Sequence, residues 1–211
     1  MLTFLRYGVI ISFFLCVISL CILVLKTLLF GKKPLYSEPQ GLENKGILYA
    51  FGKGMMPWEK ESAARHLPTY IAGILYHSGI FAGLFYILLL VIPFCPSLFL
   101  INALRILMLC GIACGVVLFL KRIFKTTLKN ISCPDDFASN ILVDLFLFFA
   151  LIDTFISSVR SVLLFTAILM LLYIPVGKIR HCFFFFYSRI LFGLFYGRRG
   201  ILPQKQRQFK V

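Results

Sequence analysis

The chain has 211 residues, 60% of them hydrophobic and 14% charged, with a mean hydropathy of +0.94 and a formal net charge of +14. A soluble domain carries about 45–50% apolar and about 25% charged residues, so this composition excludes a water-soluble enzyme, a secreted disulfide scaffold and a disordered tail. The seven cysteines form no C-x-x-C pair and most sit inside apolar runs, so they read as ordinary buried thiols rather than zinc or iron–sulfur ligands.

In chain order, the first apolar run covers about residues 7–30, after Arg6. It is long for a signal-peptide core and no small-residue cleavage site follows it, so it reads as a retained anchor. Further apolar runs cover about 69–94, 99–120, 137–157 and 162–181, each able to span a bilayer as a helix. The short alternating segments of a β-barrel are not seen. The expected fold is all-α: a polytopic, five-helix transmembrane bundle forming one domain over 1–211. Residues 31–68 form a Gly- and Pro-containing loop, ordered only in part, with Trp58 in GKGMMPWEK at the interfacial belt. Residues 190–211 form a basic tail.

The basic residues assign sidedness. Lys32, Lys33, Lys45, Lys53, Lys60 and Arg65 precede the second span, and Lys121, Arg122, Lys125 and Lys129 follow the third. Lys178, Arg180, Arg189, Arg198, Arg199, Lys205, Arg207 and Lys210 follow the core of the fifth. Eighteen of 22 basic residues thus fall on one side, while Arg6 and Arg160 fall on the other. Basic loops stay cytoplasmic, which puts the N-terminus outside and the C-terminus inside. The positive charge is then a topology signal, with attraction to anionic membrane lipid as a secondary effect and no nucleic acid needed to explain it. The expected location is the bacterial or archaeal cytoplasmic membrane, as a multi-pass protein.

Polar groups inside apolar runs carry the functional signal. His77, in Y-I-A-G-I-L-Y-H-S-G-I-F, lies about nine residues into the second span, or about 13 Å deep. A neutral imidazole there needs partners. It either bonds across helices or ligates a metal or haem, and Gly73, Gly79 and Gly83 would let a planar group approach the backbone. His181 follows the fifth span in G-K-I-R-H-C-F-F-F-F-Y-S-R, at a depth comparable to His77 on the cytoplasmic side. Two such histidines are what axial ligation of one haem iron requires. Arg180 and Arg189 are candidate partners for haem propionates, with positive-inside anchoring as the alternative. His66, just before the second span, is either a hydrated interfacial residue or a protonatable group at a quinone pocket. Arg105 and Asp153 fall near the outer ends of their spans and are expected to pair. Asp144 lies nearer mid-depth, either handling protons or in a structural ion pair. The 24 phenylalanines, four of them at Phe183 to Phe186, serve equally as lipid-facing bulk.

The stretch from His66 to Leu84, with H-S-G-I-F after Y-I-A-G-I-L-Y, resembles the second transmembrane helix of the respiratory nitrate reductase gamma subunit family. The run K-I-R-H-C-F-F-F-F-Y-S-R-I-L-F-G-L-F-Y-G-R-R-G-I-L-P from Lys178 to Pro203 resembles more closely the related membrane subunits of heterodisulfide reductase and dissimilatory sulfite-reduction complexes. Five spans with an outside N-terminus match that family as well. Its members hold two haems b between the second and fifth helices and pass electrons between membrane quinone and iron–sulfur subunits. The resemblance implies that His77 and His181 ligate the haem nearer the cytoplasm. The second haem would need ligands at Ile87 and Leu163, which cannot bind iron, so one haem b is expected; Met108 and Met170 are the remaining soft donors within spans.

The resulting expectation is a cytochrome b-type electron-transfer subunit of a quinone-linked oxidoreductase. It exchanges electrons between quinone and a cytoplasmic iron–sulfur partner, whose acidic surface would meet the basic tail, G-R-R-G-I-L-P included. The alternatives are a haem-free membrane anchor or assembly subunit and a small transporter. For the transporter, the internal repeats and broken midplane helices are not visible.

Overall fold

A computed structural model of the chain describes residues 1–30, 38–92 and 94–202, and these residues are helical apart from their turns and connections. In chain order the helices are α1 (Leu2–Leu29), α2 (Glu43–Phe51), α3 (Glu61–Arg65), α4 (Leu67–Val91), α5 (Leu98–Phe124), α6 (Thr126–Asn130), α7 (Pro134–Asp153), α8 (Arg160–Tyr173) and α9 (His181–Arg198). Of these, α1, α4 and α5 are long and apolar enough to cross a membrane, and a fourth crossing arises if α8 and α9 count as one broken span. α7 occupies the expected fourth position but carries four aspartates and is not in that set. The protein is thus all-α, with the polytopic architecture of a multi-pass membrane protein.

The chain divides into two compact units, one formed by Met1–Thr27 and Leu67–Arg180, the other by Leu28–His66 and His181–Val211. In the first, α4 and α5 approach closely because neither has a side chain at the crossing: a Cβ on Gly79 would lie 2.7 Å from the Gly111 Cα. Gly83 faces the Phe146 and Leu147 side chains in the same way. Gly79 and Gly83 therefore make room for neighbouring helices, not for a planar ligand. The centre is filled by Met108, Phe146, Leu147, Leu163, Leu164 and Met170, all essentially without solvent contact. α1 turns the stripe Val9, Ser12, Cys16 and Leu20 inward, and Val9 joins this core.

Local chemistry sets the helix ends. Ser97 caps α5 by accepting the Leu100 N–H at 3.3 Å, and Lys121 and Arg122 sit in its last turn, where the helix dipole favours cations. Pro134 opens α7, where it needs no N–H, and Cys133 and Asp136 form a capping box around that end. The fifth apolar run does not continue as one helix over 162–181. α8 stops at Tyr173, a turn follows, and α9 starts at His181. Pro175 lacks a donor for a helical bond and its ring crowds the preceding turn. The Tyr173 ring also fills the space beside Gly177, where a Cβ would approach it to 2.3 Å.

The second unit corrects two expectations. Within 31–68, residues Glu43 to Arg65 are largely α2, two 3₁₀ turns and α3, and the helix α4 already begins at Leu67. The expected tail over 190–211 is helical through Arg198. Both segments order because α2 packs on α9 through glycines: a Cβ on Gly46 would lie 1.9 Å from the Gly193 carbonyl oxygen, and one on Gly197 would lie 2.9 Å from the Gly46 Cα. The Arg198 carbonyl accepts the N–H groups of Gln40 and Gly41 at 2.9 and 3.0 Å, and Gly200, with φ +67°, turns the chain after α9. Lys32, Lys33, Pro203, Lys205, Arg207 and Lys210 lie outside the described residues.

Candidate functional site

His77 sits nearly three turns into α4, on an exposed face of the first unit. Its Nδ1 lies 2.7 Å from the carbonyl oxygen of Gly73, one turn earlier. A carbonyl only accepts, so Nδ1 carries the hydrogen, and in the neutral ring Nε2 carries the lone pair. This is the tautomer a metal-ligating imidazole uses when a backbone carbonyl fixes its orientation. A Cβ placed on Gly73 would meet nothing within 4 Å among the described residues, so they leave the surface beside the His77 backbone bond open. Gly73 and His77, both predicted site residues, are thereby brought together.

The other predicted site residues are distributed as follows. Arg180 belongs to the first unit and is exposed in the 3₁₀ turn Lys178–Arg180. His66, His181 and Arg189 belong to the second unit. His66 is exposed at the end of α3, and His181 is the exposed first residue of α9. Arg189 is half-buried, with its guanidinium 5.5 Å from the Phe185 ring centroid and 6.0 Å from that of Phe192. Burial, and after it the positive charge of Arg189, push the Lys60 ammonium below its ordinary value. Nearby, Glu59 takes the Lys53 ammonium and the Tyr49 hydroxyl, each at 3.1 Å. Trp58 is exposed in the 3₁₀ turn Pro57–Glu59.

At Ile87 and Leu163, the positions that the resemblance implied for a second pair of haem ligands, the core is hydrocarbon. Leu163 is fully buried and Ile87 nearly so, and both join the cluster that contains Met108 and Met170. No group of three or more His, Cys, Asp or Glu able to hold a metal ion occurs among the described residues. The cysteines are all free thiols, but only Cys16 is buried; five others are exposed on the protein surface, so the expectation of buried thiols fails for most of them.

The ionisable residues of α7 pair differently from the sequence expectation. Asp153 does not pair with Arg105. Its Oδ2 accepts the Tyr86 hydroxyl at 2.7 Å and the Arg160 Nε at 3.3 Å. Arg105 instead bonds the Thr154 hydroxyl at 2.9 Å and the Thr154 carbonyl, and stacks 3.9 Å over the Phe155 ring. Among the described residues Asp144 has no ion pair: Asn140 donates to its Oδ2 at 2.7 Å, and it is packed beside Tyr76 and against Gly115. Asp136, which drew no attention in the sequence, is the most fully engaged. Arg122 Nη1 and Lys178 Nζ each lie 2.6 Å from its Oδ1, and the Cys133 N–H donates to Oδ2 at 3.0 Å. Burial alone would raise its pKa, but Lys178, the Cys133 N–H and Arg122 outweigh that and hold the carboxyl well below the usual carboxylate range. Tyr173 donates to Asp135 alongside. The capping-box spacing of Cys133 and Asp136 was the available sequence signal.

Against this geometry, comparison with known proteins adds no relative: no family model, no curated protein and no solved structure matches the chain.

Proposed function

We propose that the protein is the membrane subunit of a quinone-linked redox complex, a cytochrome b-type electron carrier with one haem b, in the cytoplasmic membrane. The observation that carries this reading is the His77–Gly73 pair. The backbone bond fixes the ring tautomer with its lone pair on Nε2, within an apolar helix, beside an open glycine surface. His77 would hold the haem iron, and the sequence pattern offers His181 as the second residue of that role. The packed hydrocarbon around Ile87 and Leu163 favours one haem over two. Bound haem b would supply one-electron chemistry between a quinone and an iron–sulfur partner. The chain's own contributions are the orientation of the His77 ring by Gly73, the exclusion of water by the apolar helices, and the Arg189 cation as a partner for a haem propionate. Arg180 is assigned the same role on charge alone, and His66 is assigned to the quinone side. The proposed topology is five crossings with the N-terminus outside, α7 and α8 included.

The test is the absorption spectrum and haem content of purified wild type, His77→Ala and His181→Ala proteins produced with ample haem. About one low-spin haem b per chain is expected in wild type, with low-spin ligation lost in each variant. A wild-type protein without haem would point to the anchor reading, and two haems would overturn the assignment of Ile87 and Leu163 as non-ligands.

A further inference from the structure

We propose that the first unit binds an anionic phospholipid through a phosphodiester headgroup that also carries a hydroxyl, phosphatidylglycerol being the simplest such lipid. The site is a cavity of ≈ 500 Å³ at the end of α7 remote from Asp136, reached by Arg6, Tyr86, Asp153 and Arg160. Its polar groups are incompletely satisfied. Asp153 is 3% exposed, and while its Oδ2 holds Tyr86 and Arg160, its Oδ1 is buried with no hydrogen-bond partner among the described residues. The Arg6 Nε is likewise buried without an acceptor among the described residues. A buried polar atom left in this state costs free energy unless something occupies it.

The two unmet needs are complementary. Arg6 lacks an acceptor and Asp153 lacks a donor, while two arginines against one aspartate leave the cavity with one excess positive charge. One negative acceptor group with a hydroxyl donor beside it satisfies all three conditions. The remaining wall includes Leu89, Leu90, Phe94 and Ile101, at the ends of the apolar helices, where headgroups meet acyl chains. This placement selects an amphiphile over a free phosphate. A choline headgroup offers no donor for Asp153, and an oxidised quinone offers neither the donor nor the charge. The proposal stands independently of haem binding.

The test uses the full chain in mixed micelles with phosphatidylglycerol or phosphatidylcholine, with bound lipid counted by native mass spectrometry. One phosphatidylglycerol per chain is expected, retained about tenfold more strongly than phosphatidylcholine. Arg6→Gln, which leaves the Asp153 ion pair intact, should remove most of that preference while thermal unfolding shows the protein still folded. Tyr86→Phe keeps the cavity charges and should retain it. Equal retention of the two lipids would overturn the proposal, as would an unchanged preference in folded Arg6→Gln. Glycerol phosphate binding as tightly as the lipid would overturn the assignment to a membrane lipid, and displacement by a quinone analogue would reassign the cavity.

Discussion

Helix α7 carries a buried aspartate at each end, and the two are finished differently. At the start, Asp136 has both oxygens engaged, by Arg122, Lys178 and the Cys133 N–H, and the same residues that bind it also close α7, α5 and the turn after α8. At the other end, Asp153 is equally buried, yet one oxygen is unmet and a cavity lies beside it. Buried charges are retained either because they are saturated by their own fold or because something else completes them. The difference between the two ends separates a structural clamp from a candidate binding site without any appeal to residue type, since both are aspartates beside arginines.

The strongest way to test the clamp is to neutralise it. Asp136→Asn removes the charge that offsets Arg122 and Lys178 and weakens the cap of α7. A loss of about 3 kcal/mol is expected, read as a lowered midpoint of thermal unfolding in detergent. Its pH dependence sharpens the point. The folded-state pKa of Asp136 is depressed, so its stabilisation is fully present above the unfolded-state value and is lost as pH falls through the lower folded value. Wild type should therefore hold its advantage over Asp136→Asn down to about pH 4 and lose it progressively below. An advantage already gone at neutral pH would show that the clamp is not ionic.

Asp144, between the two ends, tests whether partial satisfaction grades the effect. Its Oδ1 is buried without a hydrogen-bond partner and lies where a Cβ on Gly115 would approach to 2.2 Å, with the Tyr76 ring at 2.6 Å. Gly115→Ala must displace both of these side chains. Because both are side-chain atoms that can shift, a cost of about 2 kcal/mol is expected, below that of Asp136→Asn. A cost near zero would mean that Asp144 is loosely held.

Much of this architecture was legible in the sequence, and the gaps have physical causes. Hydropathy located α1, α4 and α5 to within a few residues, because a long apolar run has few alternatives to a helix. It missed the break after Tyr173 because an apolar average over Ile174, Pro175 and Val176 stays high; Pro175 itself was the legible signal. It also missed α2 and the helical part of α9, whose order comes from a glycine-lined contact between distant segments, not from either segment's own pattern. Depth arithmetic put Arg105 and Asp153 at the same level but says nothing of which way each faces; Asp153 turned to Tyr86 and Arg160, and Arg105 to Thr154. His77 stood out because an imidazole in an apolar run is conspicuous, but its bond to the Gly73 carbonyl was not legible from the sequence. Asp136 was missed because an acidic residue at a helix start is ordinary until its partners are known.

The smallest expected effect bears on the open end of the comparison. Tyr86→Phe removes only a hydroxyl, leaving the ring volume in place, so no cavity is created and the change isolates the 2.7 Å bond to Asp153 Oδ2. A hydrogen bond to a charged group contributes about 1.5–3 kcal/mol, and the low end is expected because Arg160 still holds the same oxygen. The cost should be measured twice, by thermal unfolding in micelles with phosphatidylcholine and with phosphatidylglycerol. If a headgroup hydroxyl completes the Asp153 carboxylate, the loss should be smaller in phosphatidylglycerol, because the lipid supplies a second donor when the tyrosine is gone. Equal losses in the two lipids would place Asp153 with Asp136, as a group its own fold holds in full. A loss as large as that of Asp136→Asn would show that Tyr86, not the arginine, is its principal anchor.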